Sequence, residues 1–208
     1  MIYEIRTYDL YPRSQPEAIK RFGEAYEIRK QLGEMAAFFY TDVGPLNQII
    51  QIWPYEDLAH REKVRKEASK LKGWPPEINK FIKNMTIETF TPYPFSPLLT
   101  PGKHGPLYEY RSYIIYPGLM GENRKRWERA LPKRQEYSPL ACAMESDMGT
   151  GSKFVHIWPY RDPNHRYEVR AKTEHDGIWP PKGDDPSVIT VFDQQNKLVY
   201  PAPFSPMQ

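Results

Sequence analysis

The 208-residue chain is predicted to be an α+β protein made of two tandem ferredoxin-like βαββαβ repeats, which together form one pseudo-dimeric α+β barrel within a single chain. Three observations predict this. Residues 52 to 65, IWPYEDLAHREKVR, return as IWPYRDPNHRYEVR at 157 to 170, an offset of 105 residues. Their neighbours move in register, as a duplication requires: IYEIRTY (2 to 8) falls on LYEYRSY (107 to 113), and WPP at 74 to 76 falls on WPP at 179 to 181. Within each copy, stretches of period-two apolar pattern alternate with stretches of helical spacing in the order β, α, β, β, α, β. PFSP at 94 to 97 recurs at 203 to 206, an offset of 109, so the second copy has gained four residues late in the unit. The units are therefore 1–97 and 107–208, joined by the Pro- and Gly-containing linker LLTPGKHGP, 98–106.

Residues 2 to 8 alternate and carry β-branched and aromatic side chains, which predicts a strand. A helix follows. Ser14 and Glu17 have the spacing of a capping box, Pro16 suits a first turn, and Ile19, Phe22, Tyr26 and the Arg29 stem recur at helical spacing. The matching positions in the second copy are Arg124, Trp127, Leu131 and Arg134, where Pro132 predicts a kinked or shorter helix. Runs 36–42 and 47–53, separated by VGPL, predict a hairpin, as do 140–147 and 153–158 around MGTGS. Asp57, and Asp162 with Pro163 behind it, are N-cap signals for the second helices. Last strands at 84–90 and 188–199 close the units, and two sheets packed face to face cover each other.

Charge is small and evenly divided: 15 basic and 13 acidic residues in 1–104, then 14 and 13 in the rest, which argues against a nucleic-acid partner. The run ENRKRWERALPKR has six basic residues interleaved with two acids and reads as a wet helix face. No apolar run approaches the roughly 18 residues of a membrane span, and a strand beginning at Ile2 leaves no room for a signal sequence, so a cytosolic protein is expected. Cys142 is the only cysteine, which rules out an intrachain disulfide and predicts a small core residue. The five histidines show no HxxxH or HExxH spacing, and there is no P-loop, GxGxxG or GxSxG, so neither a metal nor a cofactor is expected.

IYEIRTYDLYP at 2–12, GPLNQIIQIWPYEDLAHRE at 44–62 and the terminal PFSP resemble the NIPSNAP family, over nearly all of residues 1–97 and more weakly over 107–206. In the second copy GTGSK stands where the first has GPLNQ. The resemblance implies the dimeric α+β barrel fold but no defined reaction and no set of catalytic residues. The wider superfamily that the fold resembles includes cofactor-independent oxygenases, isomerases and haem enzymes, and NIPSNAP-like proteins also act as scaffolds.

Alternation places Ile2, Glu4, Arg6 and Tyr8 on one face of the first strand and Tyr3, Ile5 and Thr7 on the other. The apolar set is expected to meet the helices. That sends Glu4, Arg6 and Tyr8, with Glu109, Arg111 and Tyr113, into the cavity between the sheets, beside Gln51, Trp53, His156 and Trp158. On one reading Glu4 with Arg6, and Glu109 with Arg111, are structural ion pairs. On the other they form a small-molecule site in the barrel interior, possessed by an enzyme that needs no cofactor and acts on an apolar or aromatic acid. There Arg6 or Arg111 binds the anion, Tyr8, Tyr113, Trp53 and Trp158 are walls, and Glu109 or His156 is a general base. His156 stands out because its repeat partner is Gln51. The alternatives are a haem protein with His156 as axial ligand and a non-catalytic interaction module with a filled interior. His60 and His165 read as helix caps, and Arg61, Arg65, Arg166 and Arg170 as a solvated face. Pairing of pseudo-dimers into a homo-oligomer is left open.

Overall fold

The computed structural model describes residues 1–149 and 151–208, so the tip of the expected MGTGS turn, Thr150, lies outside the described residues. The first half contains β1 (Ile2–Leu10), α1 (Gln15–Arg29), β2 (Ala37–Val43), β3 (Gln48–Tyr55), α2 (Leu58–Ala68) and β4 (Ile82–Pro92). The second half repeats the order as β5 (Leu107–Ile115), α3 (Met120–Gln135), β6 (Cys142–Met148), β7 (Lys153–Tyr160), α4 (Pro163–His175) and β8 (Val191–Pro201).

Local chemistry accounts for the starts of α2 and α4. Asp57 and Asp162 each accept the third backbone N–H of the helix, from His60 and His165, at 2.8 Å. Each histidine also caps, as expected, its Nδ1 accepting from the backbone N–H four residues back, that of Glu56 or Arg161, at 3.2 Å. The capping box at Ser14 does not form: Ser14 has helical backbone angles and makes no side-chain cap bond, while Glu17 accepts from Arg21 at 2.7 Å instead. Nor does Pro132 shorten its helix. α3 runs 16 residues against 15 for α1, because Pro132 lies in the last turn, where it forfeits few helical bonds, and Trp127 and Leu131 anchor the buried face.

All eight strands pair antiparallel in one closed barrel, ordered β1-β3-β2-β8-β5-β7-β6-β4. The halves join edge to edge at the β2–β8 and β4–β6 seams, so the sheets share a ladder rather than only stacking, and among the described residues no sheet edge is left open. The PFSP tails strap each half to the other. Ser96 Oγ accepts from Ala143 N at 2.8 Å on β6, and Ser205 Oγ accepts from Phe38 N at 2.9 Å on β2. Phe204 lies 4.8 Å from the Phe38 ring, while Phe95 joins the second-half cluster.

The barrel interior is filled. Tyr3, Ile5, Phe39, Ile50, Phe90, Tyr108, Tyr110, Met144, Val155 and Val199 form one buried apolar cluster drawn from both halves. This corrects the expected facing of the strands: Tyr3 and Ile5 point inward, and Glu4, Arg6, Tyr8 and their repeats point outward to the helices. A closed barrel is the driest space in the molecule, so the apolar set belongs there, whereas the long arginines of α2 and α4 supply counter-charges under the helices. The expectation of a ligand site in the barrel interior built from Arg6, Tyr8, Trp53, Arg111, Tyr113, Trp158, Glu109 and His156 is overturned with it.

Candidate functional site

Each half places one fully buried carboxylate on its first strand. Glu109 accepts from Arg111 Nη1 at 2.9 Å, Arg166 Nη2 at 2.6 Å and Arg170 Nη1 at 3.5 Å. Glu4 repeats this with Arg6 Nε at 2.5 Å, with Arg61, and with Arg65 Nη1 at 3.4 Å. Arg61 and Arg65, like Arg166 and Arg170, are four residues apart on a helix and therefore share a side. That side faces the sheet, so these arginines are not the solvated face expected. Burial alone would raise the Glu109 pKa, but Arg170, Arg111 and Arg166 outweigh it and hold the carboxyl below the usual carboxylate range. A carboxylate tied in this way is a poor base.

His156 is 1 % exposed. Its Nδ1 accepts from the Trp158 indole N–H at 2.7 Å, so the proton of the neutral ring sits on Nε2, which has no hydrogen-bond partner among the described residues. Burial, followed by the charges of Arg111, Arg170 and Arg134, pushes its pKa well below the ordinary histidine value. The ring is enclosed by Trp127 at 4.6 Å, Tyr113 at 4.9 Å and Phe154 at 5.2 Å, and a porphyrin at Nε2 would have to displace these rings. In the first half Gln51 Oε1 accepts from Trp53 at 3.0 Å in the same way.

A cavity of about 200 Å³ opens between β5, β8 and the ends of α3 and α4, lined chiefly by Arg111, Tyr113, Arg134, Arg170, Trp179 and Gln194, with Glu174 the one carboxylate on its wall. Arg111 donates Nε to Tyr113 Oη at 2.7 Å and Nη1 to Glu109, which leaves Nη2 without a protein partner among the described residues. Arg134 stacks 4.2 Å from the centre of the Trp158 ring and donates to Ser138 Oγ at 2.9 Å and Tyr160 Oη at 3.2 Å. Burial and the neighbouring Tyr113 and Glu109 act in opposite senses on Arg111, and the neighbours prevail, so its cation is fixed.

Of the residues singled out from sequence, Arg111 and Tyr113 line this cavity, while Glu109, His156 and Trp158 lie behind its wall. Arg6, Tyr8 and Trp53 belong to the separate helix layer of the first half and are not brought together with them. Sequence reasoning passed over Arg170, Trp179, Thr173 and Gln194 as site residues. A usable signal was present: the repeat writes Ala68 opposite Thr173 and, by strand register against Tyr8 and Tyr113, Met85 opposite Gln194. Among the described residues no cluster of three or more His, Cys, Asp or Glu side chains could hold a metal, and no helix is long and apolar enough to cross a membrane.

The sequence profile of the NIPSNAP family matches residues 3–97 and 108–206. Protein NipSnap homolog 3B of Mus musculus is 28 % identical over 222 residues, covering 99 % of this chain and 85 % of that protein. Among solved structures, a candidate monooxygenase from Lactobacillus acidophilus NCFM superposes with a TM-score of 0.60 at 10 % identity, covering 97 % of this chain and 93 % of the other. An anthrone oxidase-like protein does so at 0.63 with 8 % identity, covering 96 % and 90 %. At such identities the likeness is one of fold, the dimeric α+β barrel.

Proposed function

The chain belongs to the NIPSNAP family, and from that premise we propose that it binds a small organic acid in the helix-side cavity of its second half. The observation that carries this reading is the cavity wall: three guanidinium groups, from Arg111, Arg134 and Arg170, against Glu174 on the wall and the buried Glu109 behind it, with Arg111 Nη2 left without a protein partner among the described residues. Arginine forks suit a carboxylate, and Trp179 and Tyr113 offer ring faces to the apolar or aromatic body attached to it. The volume of about 200 Å³ falls below the roughly 300–1,000 Å³ of drug-sized sites, which favours a compact ligand such as an aromatic monocarboxylate. The tied Glu109 carboxylate and the Nε2 proton on His156 support a binding role over general-base catalysis.

Isothermal titration with benzoate tests this. Arg170 has the second half's cavity in front of it, while Arg65 is its repeat partner on α2. Loss of one charged hydrogen bond is worth about 1.5–3 kcal/mol, so Arg170→Gln weakens benzoate by roughly 10- to 100-fold and Arg65→Gln leaves it unchanged. Equal losses in both variants, or none in either, would place the ligand elsewhere.

A further inference from the structure

The inward face of the barrel ends, beyond the apolar cluster, in a polar layer of quite different chemistry. Lys197 on β8 lies opposite Tyr110, inside the barrel, and is 8 % exposed. Its Nζ donates to Gln48 Oε1 at 2.7 Å and stands 5.6 Å from the Tyr110 ring centre. On the same inward face Lys153 donates to Glu88 Oε2 at 2.7 Å, and Asp9 accepts from Gln48 Nε2 at 2.5 Å. An ammonium group has three donors to satisfy. Lys153 holds an ion pair, whereas Lys197 has a neutral amide and a ring face. Burial, with the charge of Lys153 added and those of Asp9 and Glu88 opposing, pushes the Lys197 amine down to about 8.

The arrangement comes from the duplication. Gln48 and Lys153 are repeat partners, as are Glu88 and Lys197, so one half supplies an amide and a carboxylate where the other supplies two lysines. The β2–β3 turn closes over Lys197. Gly44, at φ +108°, lets the turn pack so tightly that a Cβ there would stand 3.0 Å from Asn196 O and 3.4 Å from Lys197 Cα. Further out on the inward face, Thr7 is only half-buried and Gln195 is exposed, so Lys197 stands one inward-facing position from the open end of the barrel.

We propose that Lys197 is a nucleophilic amine that condenses with small aldehydes entering the barrel rim. An amine desolvated beside a second cation is the arrangement that leaves a lysine uncharged and reactive. The Nζ lone pair adds to the carbonyl carbon as the C=O π pair moves to oxygen. A proton passes from nitrogen to that oxygen, and loss of water from the carbinolamine leaves a C=N bond.

Glycolaldehyde with sodium cyanoborohydride at pH 7.5, followed by peptide mapping of the whole protein by mass spectrometry, reads the reaction directly. With the amine at about 8, about one Lys197 in four is uncharged at that pH, against about one in a thousand exposed lysines. Allowing for restricted entry, Lys197 is expected to be alkylated at least about tenfold faster than the exposed Lys63 and Lys66. Labelling no faster than at those two overturns the proposal, and this comparison needs no variant to fold. Lys153→Gln, in protein whose melting temperature is retained, is expected to slow labelling at Lys197 by at least about threefold, and unchanged labelling would count against the proposal equally.

Discussion

In the first half Gln51, Ala68 and Met85 occupy the positions that His156, Thr173 and Gln194 hold in the second, while Glu4 with its three arginines and Glu109 with its three arginines are the same device twice. What the halves keep in common fastens a polar helix to a sheet. Of what they do not share, His156, Thr173 and Gln194 face or back the cavity of the second half, while Lys153 and Lys197, opposite Gln48 and Glu88 in the repeat, lie at the end of the barrel interior. The carboxylate–arginine clusters therefore read as framework in both halves, and in the second half the unshared Thr173 and Gln194 line a cavity onto which two of the framework arginines, Arg111 and Arg170, also open.

The largest effect expected tests the shared framework. Removing one partner of a buried ion pair costs about 3–5 kcal/mol, and since Arg166 and Arg170 reach solvent a figure of about 2–4 kcal/mol applies to Glu109→Gln. Glu4→Gln, with the same three partners, should cost the same within about 1 kcal/mol in urea unfolding, and a loss confined to one half would end the description of the clusters as one device. The pH dependence has a definite sign. The folded pKa of Glu109 lies below the unfolded value of about 4.3, so its stabilisation is complete above that pH and disappears as pH falls through the folded value.

A smaller effect separates the halves at His156. His156→Leu leaves the buried Trp158 N–H without an acceptor and is expected to cost about 1–3 kcal/mol at pH 7.5. His156→Gln costs less, because Gln51 already serves Trp53 as acceptor in the equivalent place. In acid the order with wild type should shift. The folded pKa of His156 is depressed, so its contribution is intact above about pH 6.5 and declines as pH drops below that value, by up to about 1.4 kcal/mol per unit. His156→Gln has no such decline, so its melting temperature gains on wild type between pH 7.5 and pH 5.5. A constant gap across that range would mean that His156 is not held neutral.

The same comparison explains what could be read from the chain alone. The strands, the helices, the aspartate caps and the pseudo-dimeric barrel follow from the repeat and from local pattern, because each rests on neighbours in sequence. The facing of β1 does not. Tyr3 and Ile5 against Glu4 and Arg6 say only that the two faces differ, and which one is drier depends on the closure of the barrel through β2–β8 and β4–β6, a long-range event. The clue lay in α2 and α4, whose buried residues number only two each, Val64 and Ala68 or Val169 and Thr173. Helices so poor in apolar groups cannot be held by an apolar sheet face, and their duplicated arginines at i and i+4 required buried carboxylates to meet. Ser14 and Glu17 failed for a local reason: Arg21, four residues on, competes successfully for the Glu17 carboxylate.

The smallest effect concerns the caps, where the halves should agree most closely. Asp57 and Asp162 accept the same bond at the same 2.8 Å, both at exposed helix ends away from the cavity, so each replacement by alanine costs about 1 kcal/mol. Pro163 introduces the one difference. It presets the backbone of the first helical residue in the unfolded chain as well as the folded one, and it has no N–H to be left unpaired. α4 therefore loses less on decapping, and Asp162→Ala is expected to fall a few tenths of a kcal/mol below Asp57→Ala in urea unfolding. The two losses should add in the double variant, since the helices lie in different halves and share no partner. A larger cost for Asp162→Ala would mean that α4 carries a load from the cavity through Arg170 down to its first turn, and the framework would then no longer be separable from the site.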